Sequence, residues 1–176
     1  MAVFLLLGAV ALLFACQRQL SAVPTRAATD FSCDDPELAA AFMRAAKAWA
    51  DRGVYAAQII TMNEAPDAVP VKRIPRAQMP EACCGNSEKC RETASDSAGC
   101  TGYRGGWYRH IVIPDDVTDA TRLHVVLMHE IGHILTASKE HLPDDVPAVM
   151  HPNGASTEIT DADVAFVCER APCADE

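Results

Sequence analysis

The sequence predicts an α/β (α+β) chain forming one globular domain, and three observations carry that reading. Two long segments, residues 33–53 and 115–135, have the apolar spacing of amphipathic helices. Between them lie shorter runs rich in β-branched and aromatic residues and bounded by Asn or Pro, which read as strands. The chain has 176 residues, 49% hydrophobic and 22% charged, which is one domain's worth and enough to bury a real core. A net charge of −9 argues against a nucleic-acid surface, so no nucleic-acid partner is expected.

The N-terminal run "MAVFLLLGAVALLFAC", residues 1–16, is uncharged, apolar and of signal-peptide length, too short for a comfortable membrane span. It closes on "LFAC", Leu13 to Cys16, which resembles the bacterial lipobox. That resemblance implies lipidation at Cys16 and a membrane-anchored lipoprotein of the periplasm or cell surface; the alternative is plain secretion. Export agrees with the cysteine usage. Cys33, Cys83, Cys84, Cys90, Cys100, Cys168 and Cys173 read as a disulfide framework with one cysteine left over. Cys168 and Cys173 either close a small loop or one of them ties the C-terminus to Cys33.

Residues 17–32 are rich in Ala, Ser, Thr and Pro and suit a tether, which puts the domain at 33–176. In the first helix Asp35 is the expected cap, Pro36 fits the first position and Gly53 the end. Leu38, Phe42, Ala45 and Trp49 form its buried face. Residues 54–63 read as a strand, and "VPVKRIP", 69–75, as a further strand whose prolines favour an edge. Residues 75–106, with four cysteines, five glycines and almost no apolar period, read as a disulfide-held loop with little regular structure. "WYRHIVIP", 107–114, is a strand on which His110 reads as structural. The second helix packs through Leu123, Val126, Leu127, Ile131 and Ile134. Thr160 and Asp163 make a capping box before a short last helix.

The chemistry concentrates in "HEIGHILTASKEH", residues 129–141. His129 and His133 are one helical turn apart, so their imidazoles share a face and can grip one metal ion. Glu130 is the carboxylate of an HExxH motif, which binds no metal but can take a proton from water activated by zinc. His124 is turned about 140° from His129 at 100° per residue and does not share the metal. Two imidazoles are too few for tight zinc, and the candidates for a third ligand are His141, His151 and Glu158.

"HEIGHILTASKEH" followed by "AVMHPNG" resembles the metzincin signature of matrixins and astacins, HExxHxxGxxH and then a Met-turn. The family's glycine position holds Thr136 here and its third-histidine position Lys139; a histidine arrives two residues later, at His141. The resemblance implies a loop two residues longer than usual, turning near Ser138, that brings His141 to the metal. Met150 would form the floor of the site, and His151 would line the cleft and help hold an oxyanion. Glu158, 25 residues after His133, stands at a distance that resembles gluzincins instead. The implied fold is a twisted mixed sheet backed by two helices, with a small irregular C-terminal lobe.

The implied activity is zinc-dependent endopeptidase, with one catalytic Zn2+, a zinc-activated water and Glu130 as general base. A peptide or protein substrate would add as a β-strand to an edge strand at 107–113, and the chain would act as a monomer. Cys83 or Cys84 offers a thiol that would block the zinc until displaced. The alternative is a non-catalytic zinc-containing lipoprotein acting as a binding module. Glu130 argues against it, since a purely structural site needs no unligated carboxylate beside its first ligand.

Overall fold

The computed structural model describes residues 29–54, 60–62, 68–85, 87–94, 96–104, 107–171 and 173; the apolar leader with Cys16, and the tether as far as residue 28, lie outside them. Five strands form one mixed sheet: β1 (Thr29–Ser32), β2 (Ile60–Met62), β3 (Val69–Ile74), β4 (Cys100–Arg104) and β5 (Trp107–Pro114). Their order is β2-β1-β3-β5-β4, parallel throughout except for β4, which runs antiparallel to β5. The helices are α1 (Pro36–Asp51), α2 (Met79–Cys84), α3 (Glu88–Ala94), α4 (Ala120–Thr136) and α5 (Asp161–Cys168).

Local chemistry explains where the long helices begin and end. The Asp35 carboxylate accepts from the backbone N–H groups of Glu37 and Leu38, and Pro36 follows at N1. Gly53, at φ 79°, turns the chain out after the last helical residues. Asp119 caps α4 through the N–H of Arg122, so that helix starts at 120 and the preceding 115–119 is turn and cap, not helix as its sequence suggested. Leu38, Phe42, Ala45 and Trp49 of α1 and the five expected apolar residues of α4 are all buried. The Trp49 indole N–H donates to the Met128 carbonyl at 2.9 Å, joining the two helices inside the core.

Both faces of the sheet are covered, and this overturns several expectations about its edges. Phe31, Val71, Ile111 and Ile113 meet α1 and α4 in the main core, while Val112 and Ile74 pack beneath Met79 of α2 on the other face. A strand buried on both sides shows a continuous apolar run; residues 111–114 are all buried for this reason. The strand at 107–114 is therefore interior, between β3 and β4, and not an edge. β3 is interior too. Its Pro70 pairs with Ser32, the last residue of β1, so the missing N–H falls where that ladder ends.

The outer edge beyond β5 is β4, which comes from the cysteine-rich segment. That segment is not an irregular loop: it forms a short 3-10 turn at Arg76–Gln78, then α2, α3 and β4. Disulfides Cys83–Cys100 and Cys84–Cys90 hold this small lobe, and the Arg76 guanidinium fastens it to Asp116 at 2.7 Å and to the Ser97 carbonyl at 3.0 Å. Sequence periodicity missed these helices because each is under two turns long, and covalent bonds do much of the work of burial.

Two further boundaries move. Residues 29–32, placed in the tether by composition, are β1, and the buried ring of Phe31 packs at 5.2 Å from Phe42. Of the strand expected at 54–63, Ile60–Met62 is β2; Val54 makes only an isolated bridge to Cys173, and 55–59 and 63 lie outside the described residues. Cys168 and Cys173 pair with each other, closing the small C-terminal loop, and Cys33 is the free thiol among the described residues. No described helix is long and apolar enough to cross a membrane. Three disulfides suit an exported, extracellular protein.

Candidate metal centre

The last turns of α4 carry His129 and His133, and the loop that follows brings His141 back to them. Their ring nitrogens converge: His129 Nε2 is 3.0 Å from His133 Nε2 and 3.2 Å from His141 Nε2. Ligand atoms of the three residues all lie within 4.8 Å of one another, and no other described group of three His, Cys, Asp or Glu residues does this. Tetrahedral zinc with Zn–N bonds of 2.0–2.1 Å separates its nitrogen ligands by about 3.3 Å. The spacing of this cluster fits such an ion.

The tautomers fit as well. His129 Nδ1 lies 2.7 Å from the Val149 carbonyl and His133 Nδ1 lies 2.8 Å from the Ser138 carbonyl. A carbonyl only accepts, so both Nδ1 atoms carry the proton and both Nε2 atoms present lone pairs. Two lone pairs 3.0 Å apart repel unless a cation lies between them. Burial, followed by the neighbouring His129 and His141, pushes the His133 pKa down to about 3. Burial also lowers those of His129 and His141. The three imidazoles are thus neutral near pH 7, the form that binds metal.

The loop closes through a residue that its sequence did not single out. Ala137, and not Ser138, takes the left-handed conformation at the end of α4, with φ 50° and ψ 34°, and it is the only described non-glycine residue with positive φ. Alanine pays roughly 1–2 kcal/mol there. Thr136, at the family's glycine position, stays helical and buries its hydroxyl on the Gly132 carbonyl at 2.9 Å. The reversal comes one residue later than a glycine at 136 would make it, and His141 follows it by four residues where the family pattern has three, so helix and loop each take one of the two extra residues.

A second turn lies under the cluster. Met150 is fully buried, its N–H is held by Asp163, and its carbonyl accepts from Leu142, next to His141. Gly132 has no room for a side chain, because a Cβ there would run into Met150 Sδ, with Trp49 Cζ2 at 3.3 Å behind it. Gly132→Ala should therefore overpack the floor and cost about 1–3 kcal/mol. Urea denaturation of the metal-free protein measures this; an unchanged midpoint would show that Met150 has space to move aside.

Asp163 organises this turn and was legible in the sequence only as a cap. Its carboxylate has no solvent exposure and accepts from Val149 N at 3.0 Å, Met150 N at 2.7 Å, and Thr160 N and Oγ1 at 2.8 Å each. The capping box is real, but the same side chain also holds the methionine turn.

Glu130 is 4% exposed and is not one of the three converging groups, though it lines the same cleft as they do. Thr101 Oγ1 donates to its Oε2 at 2.7 Å. Burial pushes the carboxyl up to about 7, against the pull of the Thr101 hydrogen bonds. Glu130 and His129 line two adjoining clefts. One, of about 550 Å³, lies between Gly99, Val126 and Gly154; the other, of about 300 Å³, lies between Cys83, Thr101, Lys139 and His141.

The other candidates fall outside the centre. His151 has both nitrogens engaged, one at 3.2 Å from the Asp144 carbonyl and the other accepting from Asn153 N at 3.0 Å. It fastens its own turn and is not one of the three converging groups. Glu158 is exposed, its backbone folded around Ser156, and it is not in the cluster. Cys83 and Cys84 are both in disulfides, so neither has a thiol to offer a metal. His110 lies 2.9 Å from the Ala82 carbonyl and ties β5 to α2, a structural role. No protein-family model matches the chain, and no curated protein matches it in sequence.

Proposed function

We propose that this chain is a zinc-dependent endopeptidase of metzincin type, exported and anchored through a lipid on Cys16. The convergence of three neutral imidazole nitrogens from His129, His133 and His141 carries the reading. Three protein ligands leave a fourth position open, as catalytic zinc sites do. Bound zinc supplies Lewis acidity, which polarises a carbonyl and lowers the pKa of water.

The residues of the chain would divide the remaining work. The Val149 and Ser138 carbonyls hold the first two ligands in the correct tautomer. Glu130, beside the cluster and outside it, takes a proton from the attacking water and passes it to the leaving amine. The extended substrate pairs with the sheet edge nearest Glu130, which is β4 (Cys100–Arg104) and not the strand at 107–113. The bulk of a peptide fits the clefts on either side of Glu130.

Glu130→Gln tests the reading against a zinc-holding binding module. The protein, oxidatively folded and zinc-loaded, is assayed for metal content and for cleavage of a mixed peptide library. Wild type should hold one zinc and cut peptides; the variant should keep the zinc and lose at least about a hundredfold in turnover. A wild type that holds zinc and cuts nothing would favour the binding module.

A further inference from the structure

The outer strand and the acid–base residue are joined more closely than packing alone requires. β4 alternates its side chains. Cys100 and Gly102 face the small lobe, the first through its disulfide to Cys83, the second against the His110 ring that meets the Ala82 carbonyl. Thr101, between them, faces α4 and donates to Glu130 Oε2 at 2.7 Å. Just before it, Gly99 passes so near α4 that a Cβ there would be 2.6 Å from Val126 Cγ1 and 3.4 Å from Glu130 Oε1. One face of the strand is thus locked to a covalently held lobe, and the other grips the glutamate.

We infer that Thr101 is the positioning residue for Glu130: its hydroxyl fixes the plane of the carboxylate and couples it to the edge on which substrate would lie. This inference rests on the hydrolase reading. The physical need is specific. The last torsion of a glutamate side chain is broad and roughly two-fold, so packing does not set its carboxylate plane. A proton acceptor works only within hydrogen-bond reach of the proton it takes. A 2.7 Å bond to one oxygen sets that plane and leaves the other oxygen for water. Since β4 is pinned by Cys83–Cys100 beside Thr101, the aim is preset before substrate binds.

The test compares wild type, Thr101→Val and Thr101→Ser, each zinc-loaded, on a peptide that wild type cleaves. Thr101→Val should lower kcat about tenfold to a hundredfold with KM and zinc content unchanged, and Thr101→Ser should restore most of kcat. A second arm needs no activity: urea midpoints of Thr101→Val, Glu130→Ala and the double variant. If the bond holds in solution, the shift of the double variant differs from the sum of the single shifts. Wild-type kcat in Thr101→Val, no rescue by serine, or additive midpoints would each overturn the positioning role while leaving the hydrolase reading intact. A wild type that binds zinc and cleaves no peptide would overturn the hydrolase reading, and the positioning role with it.

Discussion

His141→Ala is expected to lower zinc affinity by about a hundredfold to a thousandfold while leaving the metal-free fold in place. Zinc-binding free energies of about 10–16 kcal/mol for four-ligand sites come to roughly 2.5–4 kcal/mol per ligand. His129 and His133 remain, because α4 is held by its Asp119 cap, by Trp49 and by the core, none of which involves His141. His141 itself is exposed, so truncation should change the stability of the metal-free protein by no more than about 0.5 kcal/mol. Competition with a chromophoric chelator measures the affinity, and urea denaturation in a strong chelator measures the fold. Unchanged zinc affinity would place the third ligand elsewhere and remove the basis of the metzincin reading. Unfolding of the metal-free variant would instead show that the loop supports the domain.

The second large effect is expected at a residue that touches no metal. Asp163→Asn should destabilise the domain by about 3–4 kcal/mol, a large share of the 5–15 kcal/mol typical of a domain. The carboxylate accepts four hydrogen bonds in a site with no solvent, and each bond to a charged group contributes about 1.5–3 kcal/mol. The amide has the same shape but presents an N–H2 group to backbone donors that cannot accept from it. The damage should also reach the metal. Asp163 holds the N–H of Val149, and the Val149 carbonyl holds His129 Nδ1. Second partners of this kind are worth about tenfold to a hundredfold in metal affinity. Calorimetry on metal-free protein, beside chelator competition, separates the two effects. A stable variant with weakened zinc would mean the turn moves without costing the fold. A variant equal to wild type in both would show that the turn at 148–150 is held by packing alone.

The sequence by itself determined the parts that depend on residues near one another in the chain. The HExxH spacing, the caps at Asp35 and Thr160, and the apolar faces of the two long helices are all set by the helical repeat. Each needs only a few consecutive residues to be recognised. His141 was visible as a candidate for the same reason, since it follows the helix within one short loop.

What only the tertiary structure decided depends on residues far apart in sequence. The strand at 107–114, placed at an edge by the resemblance, and the proline-bearing strand at 69–74 are both interior, because β4 from the disulfide lobe pairs outside the first and β1 pairs outside the second. That lobe's helices are too short to show a period. Of the two histidines offered as third ligand, His141 converges with His129 and His133, whereas His151 lies 3.2 Å from the Asp144 carbonyl in its own turn, and no sequence pattern encodes that difference. The bond from Thr101 to Glu130 spans 29 residues, and the grip of Asp163 on the methionine turn spans 13. A hydroxyl or carboxylate has no sequence signature for the partner it will meet once burial leaves it no water. The helix repeat placed His129 and His133 on one face; the two turns packed against α4 hold the three-histidine cluster, and the sheet edge holds Glu130 beside it.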